Sequence, residues 1–252
     1  MGIIDTHAHY LEEDFGGELF PLIESMPSLG VEKIIAVGYD LASSREEISL
    51  AHKFGYVHAA AGIHPENCYD LPDNWQTEIE NLLADERVCA LGEIGLDYHY
   101  DNTVKSVQND VFEQQLIMAE KLNKPVIIHS RDACEDTMVL LRKYKPKGVV
   151  HCFSGSAETA SEVVKLGMYI GFTGVLTFKN AKKAVSACEA VPLDRLLLET
   201  DAPYMAPVPN RGKRCDSSMI QYTAARMAEI KGISTEEMIE IAKQNAERLF
   251  GI

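Results

Sequence analysis

Short apolar runs alternate along the chain with longer stretches of mixed polarity. The runs cover residues 2–5, 33–37, 57–61, 88–91, 126–128, 148–150, 168–171 and 195–198. Because their residues are apolar at consecutive positions, they predict strands buried on both faces, as in a parallel sheet. Eight such strands alternating with helices predict an α/β fold, a single (β/α)8 TIM barrel domain over residues 1–252. A doubly wound open sheet is the alternative, but no glycine fingerprint follows an early strand.

The stretches between the runs carry helix signals. Residues 109–122 place apolar side chains at helical spacing, and Asn123 ends the stripe. Ser234 and Glu237 form a capping-box pattern before a helix that Gly251 terminates. Asp40 follows the second run and predicts an N-cap for the next helix. These signals support the alternation of strands and helices that a barrel requires.

The charge and the cysteine content indicate the cellular compartment and the kinds of molecule that the protein can bind. The chain has 38 acidic and 24 basic residues, a formal charge of −14, and so acidic a surface repels polyanions at long range. The six cysteines are scattered without a C-x-x-C pair, which favours free thiols in a reducing compartment. The sequence shows neither a secretory signal nor an apolar stretch long enough for a membrane helix, so we expect a cytoplasmic protein without membrane contact. We also expect a monomer, because no extra interface segment is evident.

Six of the eight predicted strands lead into an imidazole or a carboxylate. In chain order these residues are His7 and His9, His64, Glu93, His129, His151 and Asp201. In a barrel of this type the carboxyl ends of the strands form the rim that carries the active site. Because His7 and His9 are two residues apart on a strand, both side chains face the same side of it. The pattern therefore predicts a cluster of metal-type ligands at one end of the barrel.

Imidazoles combined with carboxylates bind several divalent ions, such as Mg²⁺, Mn²⁺ or Zn²⁺. The predicted metal ligands, sufficient for one or two ions, are His7, His9, Glu93, His129, His151 and Asp201. Two ions bridged by a carboxylate can generate a nucleophile from water and hold both oxygens of an in-line displacement. We expect the catalytic pair to be Glu93, as the bridge, and Asp201, as a ligand and general base. The alternative is that these side chains are satisfied core residues.

Other polar residues near the strand ends have two interpretations each. His64 could donate to an anionic substrate oxygen or bind metal weakly, and Arg131 could reach a phosphate or form a structural ion pair. Arg211 opens the densest basic run, Arg-Gly-Lys-Arg, after the eighth strand, where barrels often bind phosphate; a solvated loop is the alternative. Asp5 could cap a loop or orient an imidazole, and Asp97 could be structural or catalytic.

Ordered motifs along the chain resemble the TatD family of metal-dependent deoxyribonucleases. They are IDTHAH at 4–9, GIHP at 62–65, GEIGLDY at 92–98, VIIHSR at 126–131, HCFSG at 151–155 and ETDAPY at 199–204. The similarity continues to NAERLF at 245–250, so it covers nearly the whole chain. A single His-x-His pair is weak evidence, whereas the ordered set is specific.

The resemblance implies a metal-dependent nuclease, often a 3′ exonuclease, on a barrel that holds one or two ions. It assigns metal binding to the same six residues that the strand ends indicate. Family members commonly follow the Arg-Gly-Lys-Arg segment with Asn and then a Glu-Pro pair, whereas this chain has Cys215, Asp216 and Ser217. The resemblance therefore does not fix the shape of this substrate-facing loop or, with it, the choice of substrate.

Phosphodiester hydrolysis of DNA ends or short single strands is the leading functional hypothesis, because an acidic protein with one basic loop can engage only a few phosphates. Ester or amide hydrolysis on the same barrel is the alternative, for example deacylation of aminoacyl-tRNA. Many related hydrolases bridge their ions with a modified lysine at the end of the fourth strand. This chain has Glu93 there, which favours the nuclease. A non-catalytic metal or nucleic-acid binding module ranks third.

Overall fold

Eight parallel strands form one sheet in the order of the sequence. The structure is a computed structural model that describes residues 2–100 and 103–252. In that part of the chain the strands are β1 (Ile3–Ala8), β2 (Val31–Val37), β3 (Val57–Ala61), β4 (Val88–Asp97), β5 (Val126–Arg131), β6 (Gly148–Val150), β7 (Tyr169–Phe172) and β8 (Leu196–Leu198). Consecutive strands pair in parallel from β1–β2 through β7–β8. The predicted α/β barrel is confirmed.

Helices connect the strands and cover the outside of the sheet. They are α1 (Glu12–Phe15), α2 (Leu19–Ser25), α3 (Leu41–Lys53), α4 (Trp75–Leu83), α5 (Lys105–Leu122), α6 (Cys134–Tyr144), α7 (Ala157–Lys165), α8 (Lys182–Ala190), α9 (Ile220–Lys231) and α10 (Thr235–Phe250). None of the helices within residues 2–100 and 103–252 combines the length and apolarity needed to cross a membrane.

Hydrogen bonds between the first strand and the segment after the last one close the barrel. The Asp201 amide donates to the His7 carbonyl at 2.9 Å, and the His9 amide donates to the Ala202 carbonyl at 2.6 Å. The Thr6 hydroxyl adds a bond to the Leu198 carbonyl at 3.1 Å. Residues 200–202 thus continue β8 along β1, and this seam carries three of the predicted ligands.

Alternate strand residues divide the apolar core into two layers. Ile35, Ile127, Val149 and Leu197 belong to the cluster inside the barrel, because successive strand side chains point to opposite faces. Their neighbours in sequence pack outward with the helices in the larger cluster. The last turn of α10 contributes Phe250 to the inner cluster. Apolar side chains fill the middle of the barrel, and the last turn of α10 packs against them. The polar side chains lie instead at the carboxyl ends of the strands.

The strand predictions identify every strand and miss the extent of three. The runs predict strands over 2–5, 88–91 and 126–128, whereas β1, β4 and β5 extend to Ala8, Asp97 and Arg131. Glu93, expected at the end of a strand, consequently lies inside β4. The ladder between β4 and β5 continues past the apolar run, pairing Gly95 with His129 and Asp97 with Arg131. Polar ligand residues interrupt the hydrophobic pattern there without interrupting the backbone pairing.

Helix boundaries follow the predicted caps. The Asp40 carboxylate accepts from the Ser43 amide at 2.7 Å and begins α3. The Ser234 hydroxyl accepts from the Glu237 amide at 3.1 Å, and Gly251, with φ of 72°, ends α10. α5 begins at Lys105, one turn before the predicted start. All six cysteines are free thiols, as the sequence predicts.

Candidate metal centre

The six predicted ligands converge at the carboxyl end of the barrel. Their positions are His7 in β1, His9 after β1, Glu93 in β4, His129 in β5, His151 after β6 and Asp201 after β8. All are buried except His129, which is half-buried. Neighbouring strands of a parallel barrel end side by side, so residues far apart in sequence meet at this rim.

One oxygen of the Glu93 carboxylate faces a first group of ligand atoms. His7 Nε2 lies 3.6 Å and His9 Nε2 lies 3.7 Å from Glu93 Oε2. Asp201 Oδ1 faces the same two nitrogens at 3.7 and 3.6 Å. The two nitrogens are 3.2 Å apart. Two imidazoles and two carboxylates therefore surround a single point.

The other oxygen of Glu93 faces a second group. His151 Nε2 lies 2.7 Å and His129 Nδ1 lies 2.8 Å from Glu93 Oε1, and these nitrogens are 3.4 Å apart. His64 Nε2 is more distant, at 3.7 Å. Glu93 thus stands between the two groups with one oxygen toward each, which is the arrangement of a bridging carboxylate.

Hydrogen bonds on the far side of two rings fix their tautomers. His9 Nδ1 lies 2.6 Å from the Val37 carbonyl, so it carries the proton and leaves the Nε2 lone pair for the site. His129 Nε2 lies 3.0 Å from Asp97 Oδ2, which leaves Nδ1 free to bind. Such outer partners orient metal-binding imidazoles and raise their basicity. Asp97, for which the sequence left two roles open, therefore orients His129.

Asp5 ties the first strand to the segment that closes the barrel. Its carboxylate accepts from the His7 amide at 3.3 Å and from the Thr200 amide and hydroxyl at 3.0 and 2.6 Å. The Ser217 hydroxyl also donates to it, at 2.6 Å. Burial raises the pKa of Asp5 to about 6, against the lowering effect of these bonds. Asp5 therefore holds the backbone on both sides of the seam rather than contacting an imidazole ring.

The Cys215-Asp216-Ser217 departure from the family pattern lies in the interior rather than on a substrate-facing loop. Cys215 and Ser217 are fully buried, and Ser217 joins Asp5 to the hydroxyl of Tyr10, 2.8 Å away. Asp216 caps the short turn that follows by accepting from the Ser218 amide at 2.9 Å. Two of the three side chains of this segment are therefore buried between the loop after β8 and the first strand, where Ser217 contacts Asp5.

Glu199 is a buried carboxylate that the sequence analysis did not single out. Its Oε1 accepts from the Cys152 amide at 2.5 Å and lies 3.7 Å from His151 Nδ1. Burial raises the pKa of Glu199 to about 8. Gly171 leaves room for it, since a Cβ there would lie 2.3 Å from Glu199 Oε2. Glu199 thus lies behind His151, on the side away from Glu93.

Electrostatics keep the two central carboxylates charged. Burial alone would raise the pKa of Glu93, but the imidazoles around it, His151 and His64 foremost, hold it well below its usual range. Burial likewise opposes ionisation of Asp201, whose pKa is lowered by the neighbouring imidazoles of His9, His151 and His7. For His64, burial lowers the pKa to about 3, so this ring is neutral near pH 7.

The residues present fit divalent metal ions. Both groups combine imidazole nitrogens with carboxylate oxygens, a donor set suited to several divalent ions, and their ligand atoms lie within 4.8 Å of one another. Burial disfavours a charged ring, yet the carboxylates of Asp201, 3.6 Å away, and Glu93 raise the pKa of His9 to about 9. Protons on the rings thus balance buried negative charge where a cation would otherwise do so.

A cavity of about 640 Å³ gives solvent access to the ligands. His64 and Arg131 line it, together with Tyr100 and Tyr204, whose side chains are 47% and 56% exposed. The Arg131 guanidinium lies 5.6 Å from the centre of the Tyr100 ring. Arg211 is not part of this wall; it lies 4.5 Å above the ring of Phe178. The structure brings two of the three predicted substrate-binding residues to the ligands and leaves Arg211 farther out.

A parallel eight-stranded barrel with such a ligand cluster at its carboxyl end is the combination found in barrel hydrolases that depend on metal ions. The comparisons with known proteins agree on this class. The family model for TatD related DNase matches residues 4–251. The chain therefore belongs to the TatD family of metal-dependent hydrolases.

Relatives match the chain over nearly its whole length. It is 41% identical to the uncharacterized metal-dependent hydrolase YabD of Bacillus subtilis, with 99% of each chain covered. It is 38% identical to the uncharacterized metal-dependent hydrolase YcfH of Escherichia coli K12, covering 100% of this chain and 97% of the relative. The crystal structure of YjjV, a TatD homologue from Escherichia coli K12, superposes with a TM-score of 0.94 at 30% identity, covering 99% and 98% of the two chains.

Proposed function

We propose that the protein is a deoxyribonuclease that shortens DNA ends or short single strands from the 3′ end by metal-dependent phosphodiester hydrolysis. The observation that carries the proposal is Glu93, which presents one carboxylate oxygen to each of two ligand groups. A bridging carboxylate between two ions suits in-line displacement at phosphorus. The family to which the chain belongs is described as TatD related DNase, which supports the same chemistry.

The ligand residues divide between two ions. His7, His9 and Asp201 would hold one ion, His129 and His151 the other, and Glu93 both. The ions supply Lewis acidity, which lowers the pKa of water and stabilises charge on phosphate oxygens. Asp201 is our candidate for the general base that takes the proton from the attacking water, because its carboxylate lies within the first group of ligand atoms.

His64 has the geometry of a donor to substrate. Its Nδ1 accepts from the Glu66 amide at 3.2 Å, and the ring is neutral because burial lowers its pKa to about 3. The single ring proton is therefore on Nε2, which points toward Glu93 in the cavity. A protonated nitrogen cannot bind a metal ion but can donate to an anionic phosphate oxygen. Arg131, on the same wall, is a second candidate contact for phosphate.

The test begins with chelator-stripped protein and single-stranded DNA labelled at either end. Mg²⁺, Mn²⁺ and Zn²⁺ are restored separately, and the products are resolved by length. We expect metal-dependent shortening whose ladder shows 3′-to-5′ direction. Glu93→Gln keeps the shape of the side chain but removes the bridging charge, so it abolishes turnover. Glu113→Gln changes a half-buried carboxylate that pairs with Lys143 on α6; it is the matched control and keeps activity.

Aminoacyl esters are tested beside DNA with the same metals. Intact DNA under every metal, together with hydrolysis of the ester, would contradict the nuclease and assign the site to ester cleavage. DNA shortening that persists in Glu93→Gln would point to a contaminating nuclease and remove the support for the bridging role.

A further inference from the structure

The loops after β7 and β8 are basic in an otherwise acidic protein. Residues 174–183 and 203–214 contain no acidic residue, although the chain has a formal charge of −14. Their basic residues are Lys179, Lys182, Lys183, Arg211, Lys213 and Arg214. We call the surface formed by these two segments the basic ledge. Loops at this position are where barrels often bind phosphate groups.

Direct contacts join the two loops into one surface. The Val208 amide donates to the Thr177 hydroxyl at 2.9 Å, and Arg211 stacks over Phe178. Gly174 packs so closely on the second loop that a Cβ there would lie 2.1 Å from the Met205 carbonyl oxygen. The two loops therefore form one continuous surface beside the cavity.

Most of the charge on the basic ledge is free to meet a ligand. Arg214 is engaged, because it donates to the Glu18 carboxylate and to the Asp14 carbonyl. The other five basic residues are exposed, and among residues 2–100 and 103–252 no ion pair neutralises them. Exposed unpaired cations in a groove or along a ledge are what a polyanion requires for local binding.

The basic ledge begins at the metal centre. Val175, Tyr204 and Met205 belong to its two loops and line the cavity, and the Tyr204 ring centre lies 6.4 Å from that of His9. The opposite part of the wall carries Glu66 and Asp97. The cavity therefore opens onto the two loops through uncharged side chains, and the cations of the basic ledge lie beyond this part of the wall.

We infer that the basic ledge is the path of single-stranded nucleic acid leading away from the bond that is cut. Tyr204 provides a face on which a base stacks beside the metal centre, and the cations beyond it, Lys179, Lys182, Lys183, Arg211 and Lys213, hold successive phosphates. A stacking aromatic followed by a row of cations is the usual construction of sequence-tolerant single-strand binding. The inference rests on the proposed function and specifies its substrate as a strand rather than a small phosphodiester.

The test measures binding of a phosphorothioate oligothymidylate, which resists hydrolysis, to the metal-loaded protein over a range of salt concentrations. The ledge variant combines Lys182→Gln and Arg211→Gln, one change in each loop. The control combines Lys147→Gln and Lys165→Gln, two exposed residues before β6 and at the end of α7, at the other end of the barrel. Each variant removes two positive charges.

The logarithm of the binding constant decreases linearly with the logarithm of the salt concentration, and each phosphate contact on a single strand contributes about 0.7 to the steepness of this line. Because the ledge variant loses two contacts, we expect its line to be less steep by about 1.4. The control keeps the wild-type slope. Equal slopes in the two variants would overturn the inference. So would equal affinity for thymidine monophosphate and for the oligothymidylate, because the ledge would then bind a small anion.

Cleavage is scored separately, so the two proposals fail separately. Ledge-dependent binding without cleavage under any metal would contradict the nuclease and support the path. Cleavage of DNA by a protein whose ledge and control variants have equal slopes would support the nuclease and contradict the path.

Discussion

Single hydrogen bonds decide which nitrogen of each imidazole is available in the metal centre. Asp97 accepts from His129 Nε2 and from the His99 amide, and the Val37 carbonyl accepts from His9 Nδ1. These partners contact the rings on the side away from Glu93. Their contribution is to present a lone pair rather than a proton to an incoming ion.

Asp97→Asn tests this role at the scale of one atom. The amide group of Asn would face His129 Nε2 with a donor, so the ring proton would move to Nδ1, the nitrogen that binds. We expect metal affinity to fall roughly 10–100-fold, measured by competition with a coloured chelator. Asp132→Asn, which changes an exposed carboxylate beside His99, is the control. Equal affinities in both variants would contradict the orienting role.

His58 links the stability of the fold to pH away from the metal centre. Burial lowers its pKa from 6.5 to about 4, with Arg87 and Lys33 contributing. Between these two values the unfolded chain binds a proton that the folded protein does not, so stability is present above pH 6.5 and is lost as the pH falls toward 4. His58→Gln removes this component. We expect its urea midpoint to fall less between pH 7 and pH 5 than that of the wild type, both with chelator; parallel profiles would refute this.

Residue types at strand ends were sufficient to predict which six side chains meet at the rim, because an imidazole or carboxylate that follows an apolar strand has few structural uses. The buried partners were harder to predict. Glu47 accepts from the Tyr10 amide at 2.6 Å inside the protein, and Glu199 lies behind His151. Glu47 lies on a helix, where a buried glutamate has the same sequence signature as an exposed one. Only the packing of α3 against β2 and β3, which brings Glu47 to the Tyr10 amide, distinguishes them.

At the scale of elements, the pairing of β4 with β5 brings Glu93 and His129 together. The two strands approach so closely at Gly95, whose φ is 148°, that a Cβ there would lie 1.9 Å from the His129 carbonyl oxygen. A side chain at this position would have to displace the strand that carries a ligand. Glycine is therefore required by the backbone rather than by the chemistry.

Comparing Gly95→Ala with Gly167→Ala separates the effect of the close backbone contact from the effect of a positive φ alone. Gly167 also has a positive φ, 91°, but no atom lies within 4 Å of the Cβ position. Gly167→Ala is expected to cost about 1 kcal/mol of unfolding free energy. Gly95→Ala adds a backbone clash of roughly 1–3 kcal/mol and also weakens metal binding. Urea unfolding and chelator competition measure both; similar losses in the two variants would contradict the close approach.

The elements show where the hydrophobic pattern stops being informative. β2, β3 and β6 follow their apolar runs closely, since nothing but packing selects those residues. β1, β4 and β5 extend past their runs because ligands and glycines occupy positions that the backbone ladder still pairs. The polar residues that interrupt these apolar runs make the end of each strand hard to predict, and the same residues form the site.

At the scale of the whole molecule, the metal centre concentrates negative charge in a protein that is already acidic. Glu93 and Asp201 are both ionised and buried within the same cluster of imidazoles. Bound cations would offset this charge and join residues from five different strands. Metal ions should therefore stabilise the complete barrel and not only the rim.

Loading the chelator-stripped protein with Mn²⁺ or Zn²⁺ at about one hundred times the dissociation constant contributes about 2.7 kcal/mol. For a chain of this length we expect the melting temperature to rise by roughly 5–10 °C, measured by calorimetry. Glu93→Gln should lack the increase because both ligand groups lose the shared carboxylate. An equal increase in that variant would locate the stabilising metal elsewhere.

The seam between β1 and residues 200–202 also determines when the site can exist during biosynthesis. Thr6 and Leu198 are 192 positions apart, and His7 and His9 meet Asp201 only along this seam. The ribosome synthesises His7 and His9 early in translation. Both side chains then lack their Asp201 partner until residue 201 has left the exit tunnel. Any nascent chain shorter than 201 residues lacks the Asp201 carboxylate even when the other five ligands have been made, so the complete site forms late in translation.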